Sequence, residues 1–368
     1  MQNNLDFQSI ILRNTTDPFR FMHEVQRQIG HLNFHFKKLN LHFYDEVKEA
    51  YKSKVFTEFS WLVHHIFLTH QLNFSKVLKN EQIVVNLIPA LLQQEIFFLG
   101  MFGSWRIAPN IFEIDPDVLS MINKSPLPLN APMSVFDKIP FWAVYVKLPT
   151  HQLQVSVTPE GGCIEMNCYG FWAYKLAIKD EIKLCILPHY SNFELTHNAQ
   201  HLIPSLMLPL SENVTIQQAV DSFLASTDFM QNKDFYIVNV LKKNLLRYTR
   251  QYLSSLLMLC VEEPQITTLP NKAGEASEVD LTKLDVTPPI HKKTKLFVPP
   301  SVPKHYMVAQ RLGGQIRDFI TQEKKIEGTG SVKPHIRQAH WHSYRCGANR
   351  QDFKLNFLAP IFVNFSSE

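Results

Sequence analysis

Residues 141–187 read FWAVYVKLPTHQLQVSVTPEGGCIEMNCYGFWAYKLAIKDEIKLCIL, a stretch rich in aromatic and β-branched residues. Short runs of this composition, separated by turn-forming residues, are typical of β-strands. Gly161-Gly162 lies between two of the runs and fits a hairpin turn. We therefore predict an antiparallel meander with strands at Phe141–Val146, Gln152–Thr158, Cys163–Tyr169, Trp172–Ile178 and Ile182–Leu187.

Helical patterns flank this predicted sheet on both sides. Between about residue 17 and residue 102, apolar residues recur every three or four positions. Asp17-Pro18 is a good start signal there, with aspartate as N-cap and proline at the first helical position. The same periodicity returns at residues 216–229, 235–259 and 307–325. In the second of these helices, Lys243, Arg247 and Arg250 are spaced to share one face.

The chain divides into four predicted regions, and the predicted fold class is α+β. Residues 1–122 form a helical N-terminal region, and residues 141–261 form the antiparallel sheet plus helices. Four prolines between residues 123 and 140 mark the boundary between these regions. Residues 262–300 have few apolar residues and little periodicity, which predicts a linker or long loop. Residues 301–368 form a basic C-terminal αβ segment that carries the richest motif of the chain.

Charge and cysteine usage indicate the surroundings and the class of partner. The chain has 37 Lys/Arg and 33 Asp/Glu, but residues 291–354 hold thirteen basic against four acidic residues. This asymmetry favours an anionic partner for the C-terminal part. Five cysteines, an odd number without a CxxC pair, fit a reducing cytoplasm better than a disulfide framework. No signal peptide is evident and no run approaches 18 apolar residues, so we expect a cytoplasmic protein that does not enter a membrane.

Residues Val332–Tyr344, VKPHIRQAHWHSY, are the chemically densest part of the chain and are called the signature segment below. In an extended chain, alternation places His340 and His342 on one face and Trp341 on the other. The donor and stacking groups favour binding of a phosphate chain or an acidic partner. The candidate binding residues are Lys333, His335, Arg337, His340, Trp341, His342 and Tyr344. Alternatively, Trp341 belongs to the core and the histidines bond to neighbouring loops.

Two chemical roles for the same histidines are weaker. The three histidines of the segment and Cys346 are groups that zinc prefers, but their spacing fits no common zinc site. His340 and His342, with a neighbouring lysine or arginine, supply the groups for acid–base cleavage of RNA. However, two side chains on the same face of a strand are close together, which disfavours a placement on opposite sides of a scissile bond. HExxH, Walker A, GxGxxG and GxSxG sequences are absent. We therefore assign no catalytic residue, no metal and no cofactor.

The signature segment resembles the C-terminal signature of the second type V-A anti-CRISPR family, V-[RK]-P-H-x-R-x-A-H-W-H-x-Y. Related proteins from bacterial mobile elements share it. Arg311–Arg317 resembles the R-x-G-x-x-I-R helix of this family, and Leu358–Asn364 resembles its apolar-Pro-apolar-Val-Asn ending. Leu256–Cys260 resembles the end of its preceding apolar helix. The resemblance adds Arg311 and Arg317 to the candidate binding residues.

The resemblance implies a non-enzymatic inhibitor that lowers production of the type V-A CRISPR effector nuclease in a bacterial cytoplasm. In that family the nascent N-terminal peptide of the effector is recognised and its messenger RNA is lost. The ribosome and the mRNA are therefore implied as further partners. Relatives also occur where no such effector is encoded, so the target of this chain stays open. The alternative is a histidine-dependent ribonuclease or an RNA-binding protein that acts on RNA directly.

Overall fold

The computed structural model describes residues 16–22, 101, 105, 108–156, 163–178, 181–190, 205–226, 235–270, 274–283, 300–326, 335–350, 352–358 and 361–363 of the chain. Near the N-terminus, the carboxylate of Asp17 accepts hydrogen bonds from the backbone N–H groups of Phe19, at 2.8 Å, and Arg20, at 3.0 Å. These bonds confirm the predicted N-cap of the helical residues 18–22. The apolar periodicity predicted beyond residue 22 and the Gly161-Gly162 turn lie outside the described residues.

A seven-stranded mixed sheet forms the centre of the fold. In chain order its strands are β1 (Asn110–Ile114), β2 (Ala143–Ser156), β3 (Cys163–Ile178), β4 (Glu181–Tyr190), β5 (Leu206–Pro209), β6 (Ile266–Thr268) and β7 (Lys304–Val308). Across the sheet the order is β5-β4-β3-β2-β1-β7-β6. Strand β1 runs parallel to both of its neighbours, and the other neighbouring pairs are antiparallel.

Helices follow several of these strands. The longer helices of the described part are α1 (Pro116–Lys124), α2 (Ile216–Ser226), α3 (Phe235–Cys260) and α4 (Gln310–Ile326). Short 3-10 helices span Met133–Lys138, Leu281–Lys283 and Ala348–Arg350. Helix α1 begins at an aspartate N-cap followed by proline, and Lys124 in its last turn complements the helix dipole. Within the described residues, no helix combines the length and apolar character needed to cross a membrane.

Both faces of the central sheet are covered by packed side chains. On one face, Phe171 of β3 packs against Tyr252 of α3, with ring centroids 4.7 Å apart. On the other face, Tyr145 of β2 meets Trp172 of β3 edge-on at 4.9 Å. The N-terminal Phe21 packs onto this second face, 5.4 Å from Trp172. Strands buried on both faces explain why β2 and β3 read as nearly continuous apolar and aromatic runs.

Two small antiparallel pairs make up the C-terminal part. Strand β8 (His335–Arg337) pairs with β11 (Ile361–Val363), and β9 (His340–Cys346) pairs with β10 (Asp352–Leu358). The pair formed by β9 and β10 is called the signature ribbon below, because β9 holds the second half of the signature segment. Both strands predicted from the final residues, at 354–358 and 361–363, are confirmed.

The predicted α+β class is confirmed, since helices and strands are both substantial. Strands β2, β3 and β4 form an antiparallel meander as predicted, and α2 and α3 match the predicted helices closely. The two strands predicted at 141–146 and 152–158 are the single strand β2, with a register shift between Lys147 and His151. The two strands predicted at 163–169 and 172–178 are one strand that continues through Gly170. A Cβ at Gly170 would lie 2.3 Å from the carbonyl oxygen of Val146, so glycine permits the close approach of β2 at this point.

Four short strands are not predicted by the sequence pattern. Strand β1 lies in the region predicted to be helical, β6 in the predicted linker, and β7 where the predicted helix begins. Strand β5 lies in a stretch without a prediction. Each is too short for alternation to distinguish it from a loop. The division into four regions stays a prediction, and the central sheet takes strands from all four.

Candidate functional site

The signature ribbon has an inner face that packs against the core. Trp341 lies opposite Phe357 in register, and their ring centroids are 4.8 Å apart. Leu355 on the same face is fully buried. Burial of these side chains removes apolar surface from water and holds the ribbon on the body of the protein. Trp341 is therefore on the opposite side of β9 to the exposed His340 and His342, as the alternation predicts.

The outer face of the signature ribbon carries exposed rings. His340, His342 and Tyr344 follow one another at every second position of β9, and all three are exposed. The rings of His342 and Tyr344 lie 5.6 Å apart with an interplanar angle of 33°. Asn356 and Lys354 stand opposite these two residues on β10. The outer face thus offers ring faces and hydrogen-bonding groups together.

The remaining predicted site residues lie elsewhere. Lys333 is outside the described residues. His335 and Arg337 are on β8, where they pair in register with β11. Arg311 is exposed at the start of α4. Arg317 is six residues further along α4, and its guanidinium forms ion pairs within the protein.

Arg317 is held by two carboxylates at the start of α1. Its Nη1 donates to Oδ2 of Asp115 at 2.9 Å and to Oδ2 of Asp117 at 2.7 Å. The Asp115 side chain is only 6% exposed and also caps α1, because its Oδ1 accepts from the backbone N–H of Asp117 at 3.0 Å. The Arg317 side chain is 50% exposed. One charge of the pair is therefore buried and the other stays in contact with water.

Gly313 permits this junction between α1 and α4. A Cβ at Gly313 would lie 2.0 Å from Cγ of Asp115. Ile316, on the same helix, is 1% exposed and belongs to the core. The R-x-G-x-x-I-R stretch therefore has a structural account: glycine for close approach, isoleucine for the core and the last arginine for the ion pair. The role of Arg317 in binding a partner stays a prediction.

Polar contacts fix both ends of the signature ribbon. Lys354 of β10 donates to Oε2 of Glu262 at 3.1 Å, and Lys138 donates to the other carboxylate oxygen. Burial raises the pKa of Glu262, but the hydrogen bonds and charges of Lys138 and Lys354 outweigh it, so the pKa lies below its ordinary value. At the start of β9, the hydroxyl of Ser125 donates to the carbonyl oxygen of Ala339 at 2.8 Å. The ribbon is thus tied to the end of α1 and to the segment after α3.

A groove of about 1080 Å³ lies between α1 and α3, and it is called the α1–α3 groove below. Leu119 and Leu246 supply apolar surface from the two helices. Lys124, Arg247 and Arg250 line the same groove and are exposed. None of the described residues that line it is Asp or Glu. The groove therefore combines apolar contact surface with a positive potential.

The groove reaches the signature segment at one end. A second cavity of about 190 Å³ is lined by Lys124 and Ser125, which also line the groove, together with Gln338 and Ala339. The signature segment and the α1–α3 groove are therefore neighbours in space. They are far apart along the chain.

Sequence reasoning found only half of the groove. It placed Arg247 and Arg250 on one helix face, and the structure confirms that both point into the same groove. It placed residues 1–122 in a helical region but did not single out α1, whose start, Asp115-Pro116, is the same kind of signal as Asp17-Pro18. The side chain of Lys243, predicted to share this face, lies outside the described residues.

The described residues do not favour metal or thiol chemistry. No group of three or more His, Cys, Asp or Glu side chains that could hold a metal ion occurs among them. Cys168, Cys185 and Cys260 are buried, and burial raises the pKa of each thiol to about 12. These three thiols stay protonated at neutral pH and are poor nucleophiles.

The fold and site define an α+β protein with a cationic groove beside an exposed two-stranded ribbon. Its family follows from the sequence: the AcrVA2-like model, the anti-CRISPR type V subtype A2 family, matches residues 112–365. The chain belongs to this family. The match begins far upstream of the signature segment and includes α1, α3 and the central sheet.

A solved structure agrees with this assignment at the level of the fold. The chain is similar to a protein whose structure is described as the crystal structure of AcrVA2, with a TM-score of 0.61 and 22% sequence identity. The similarity covers 94% of this chain and 98% of that one. No curated protein sequence matches.

Proposed function

We propose that this protein inhibits a type V-A CRISPR system by binding the nascent N-terminal peptide of the effector nuclease, which leads to loss of the effector mRNA. Membership of an anti-CRISPR type V family supports the general target, a CRISPR effector. The observation that carries the peptide-binding part is the α1–α3 groove, which adjoins the signature segment.

The α1–α3 groove suits an extended peptide. A peptide in this form presents carbonyl oxygens that are not used in secondary structure, and Arg247 and Arg250 can donate charge-assisted hydrogen bonds to them or to acidic side chains. Leu119 and Leu246 offer apolar contacts to peptide side chains. None of the described lining residues is aromatic, so the groove lacks the stacking platforms of a nucleic-acid channel.

The first experiment separates peptide from RNA as the recognised molecule. The leader codons of an effector are fused to a reporter gene, and reporter mRNA and protein are measured with and without this protein. A synonymous recoding keeps the peptide and changes the RNA, whereas a compensated frameshift keeps most of the RNA and changes the peptide. We expect mRNA loss with the recoded leader and no loss with the frameshifted leader. The opposite pattern would contradict the proposal.

The second experiment tests the groove directly. Binding of a fluorescent leader peptide to the purified full-length protein is compared with binding to Arg247→Gln/Arg250→Gln. Because each lost charge-assisted bond contributes about 1.5–3 kcal/mol, we expect the Kd to rise at least about 100-fold. Lys304→Gln is the matched control, since Lys304 is an exposed cation on β7 that does not line the groove. Equal peptide binding by the groove and control variants would exclude this groove as the binding site.

A further inference from the structure

We infer that the outer face of the signature ribbon binds single-stranded RNA. This surface is separate from the α1–α3 groove and goes beyond the proposed peptide recognition. Three observations carry the inference: a row of exposed rings, a local excess of positive charge, and a rigid backing for the row.

The row of rings provides a stacking platform. His340, His342 and Tyr344 occupy alternate positions on one face of β9, about 7 Å from one to the next at strand geometry. The rings of His342 and Tyr344 are tilted by only 33° and both are open to solvent. Unpaired bases stack on aromatic and imidazole rings, and β-sheet faces are a common frame for such rows. A duplex hides its base faces, so a flat row of rings favours single strands.

The charge around the ribbon suits a phosphate backbone. Between residues 335 and 358 the sequence has four arginines and lysines and a single acidic residue, Asp352. Arg350 is exposed at the turn end of the ribbon, and so is Arg345, although its position on β9 alternates with the ring row and is on the side of Trp341. The partners of the ring row on β10 are Lys354, Asn356 and Leu358, and Asp352 follows on the same face, opposite Cys346. Because Lys354 is paired with Glu262, the positive charge offered to a ligand comes mainly from the turn end. Positive charge and ring faces together are the usual composition of a single-strand binding surface.

The ribbon is held in place before any ligand arrives. On the inner face Trp341 packs on Phe357, and Leu355 is fully buried. Lys354 is tied to Glu262, and the carbonyl of Ala339 to Ser125. A pre-ordered backbone lowers the entropic cost of binding. An acidic protein would also be attracted by the positive charge, but it would gain little from a row of flat rings. A single-stranded nucleic acid is therefore favoured over an acidic protein.

The test measures the binding of a fluorescent single-stranded RNA of mixed sequence, 12 nucleotides long, to the purified full-length protein by anisotropy, without peptide. Tyr344→Ala is expected to raise the Kd about 5- to 150-fold, the usual effect of losing one base–ring stack. Tyr344→Phe keeps the ring and is expected to bind as the wild type. Arg350→Gln is expected to lower the slope of log K against log salt by about 0.7.

Several outcomes would overturn the inference. They are the absence of RNA binding by the wild-type protein at low salt, equal binding by Tyr344→Ala and Tyr344→Phe, or stronger binding to duplex than to single-stranded RNA. If the wild-type protein cleaves the RNA without metal, and His340→Ala and His342→Ala do not, the ribonuclease alternative would replace simple binding. Equal affinity for single-stranded DNA would show that the surface does not select RNA. Arg247→Gln/Arg250→Gln is expected to keep full RNA binding, which separates failure of this inference from failure of the peptide groove.

Discussion

Gly313→Ala should destabilise the protein, whereas Gly314→Ala, at the next position of the same helix, should stabilise it. A Cβ at position 313 would lie 2.0 Å from Cγ, 2.1 Å from Oδ1 and 2.3 Å from Oδ2 of Asp115. A Cβ at position 314 would have no atom within 4 Å. The two substitutions change the helix propensity equally, so their difference isolates the contact with Asp115.

The expected size follows from what the Asp115 carboxylate does. If it moves aside, α1 loses its N-cap, worth about 1 kcal/mol, and the half-exposed ion pair with Arg317, worth about 1 kcal/mol at most. Crowding of the packed neighbours costs about 1–3 kcal/mol more. Replacing glycine by alanine inside a helix returns about 1 kcal/mol. We therefore expect Gly313→Ala to lose about 2–4 kcal/mol of unfolding free energy and Gly314→Ala to gain about 1 kcal/mol.

Urea unfolding monitored by tryptophan fluorescence and by circular dichroism measures both variants. The midpoint should shift in opposite directions while the slope m stays that of the wild type, because a local clash does not change the area exposed on unfolding. An unchanged or raised midpoint for Gly313→Ala would refute the reasoning. So would equal shifts for the two variants, since they would show that helix propensity alone acts at both positions.

Two other stability predictions concern ion pairs. A double-mutant cycle of Asp115→Asn, which keeps the cap, and Arg317→Gln should give a coupling of about 1 kcal/mol in urea unfolding, and a coupling near zero would contradict the ion pair. The pKa of Glu262 is lowered in the folded protein, because the hydrogen bonds and charges of Lys138 and Lys354 outweigh the effect of burial. The ionised Glu262 therefore stabilises the fold fully at a pH above the ordinary carboxyl pKa. This stabilisation is lost as the pH falls through the lower pKa of the folded protein. The stability difference between the wild type and Glu262→Gln should therefore shrink from pH 7 to about pH 3 in urea titrations, and a constant difference would argue against this pairing.

Local sequence patterns predicted the elements in which apolar residues recur with a clear period. The strands β2 to β4 and the helices α2 and α3 are long enough for alternation or helical spacing to be visible. Strands β1 and β7 were missed because each has five residues and both depend on a parallel pairing between distant parts of the chain. Their place in the sheet comes from tertiary packing, which no short window of sequence contains.

In the candidate site, too, local patterns predicted some features, and others depend on contacts between distant parts of the chain. Alternation along the signature segment predicted that Trp341 lies on the opposite face to His340 and His342, and the structure shows that the Trp341 face is the one turned towards the core. The partner of Arg317 was not predictable, since Asp115 lies 202 residues away. The α1–α3 groove also needs two helices from distant regions, and the sequence indicated only the arginine face of α3.

Folding accounts for only part of the signature segment. Trp341 is needed for the contact with Phe357, and the carbonyl of Ala339 anchors the strand through Ser125. The rings of His342 and Tyr344, by contrast, stay in water and contact one another, so their stabilising effect on the fold is small. The exposed rings are backed by the partly buried pair Trp341 and Phe357, and our proposal is that a partner covers them. We therefore propose that binding is carried by His342 and Tyr344, the residues of the segment that contribute little to the stability of the fold.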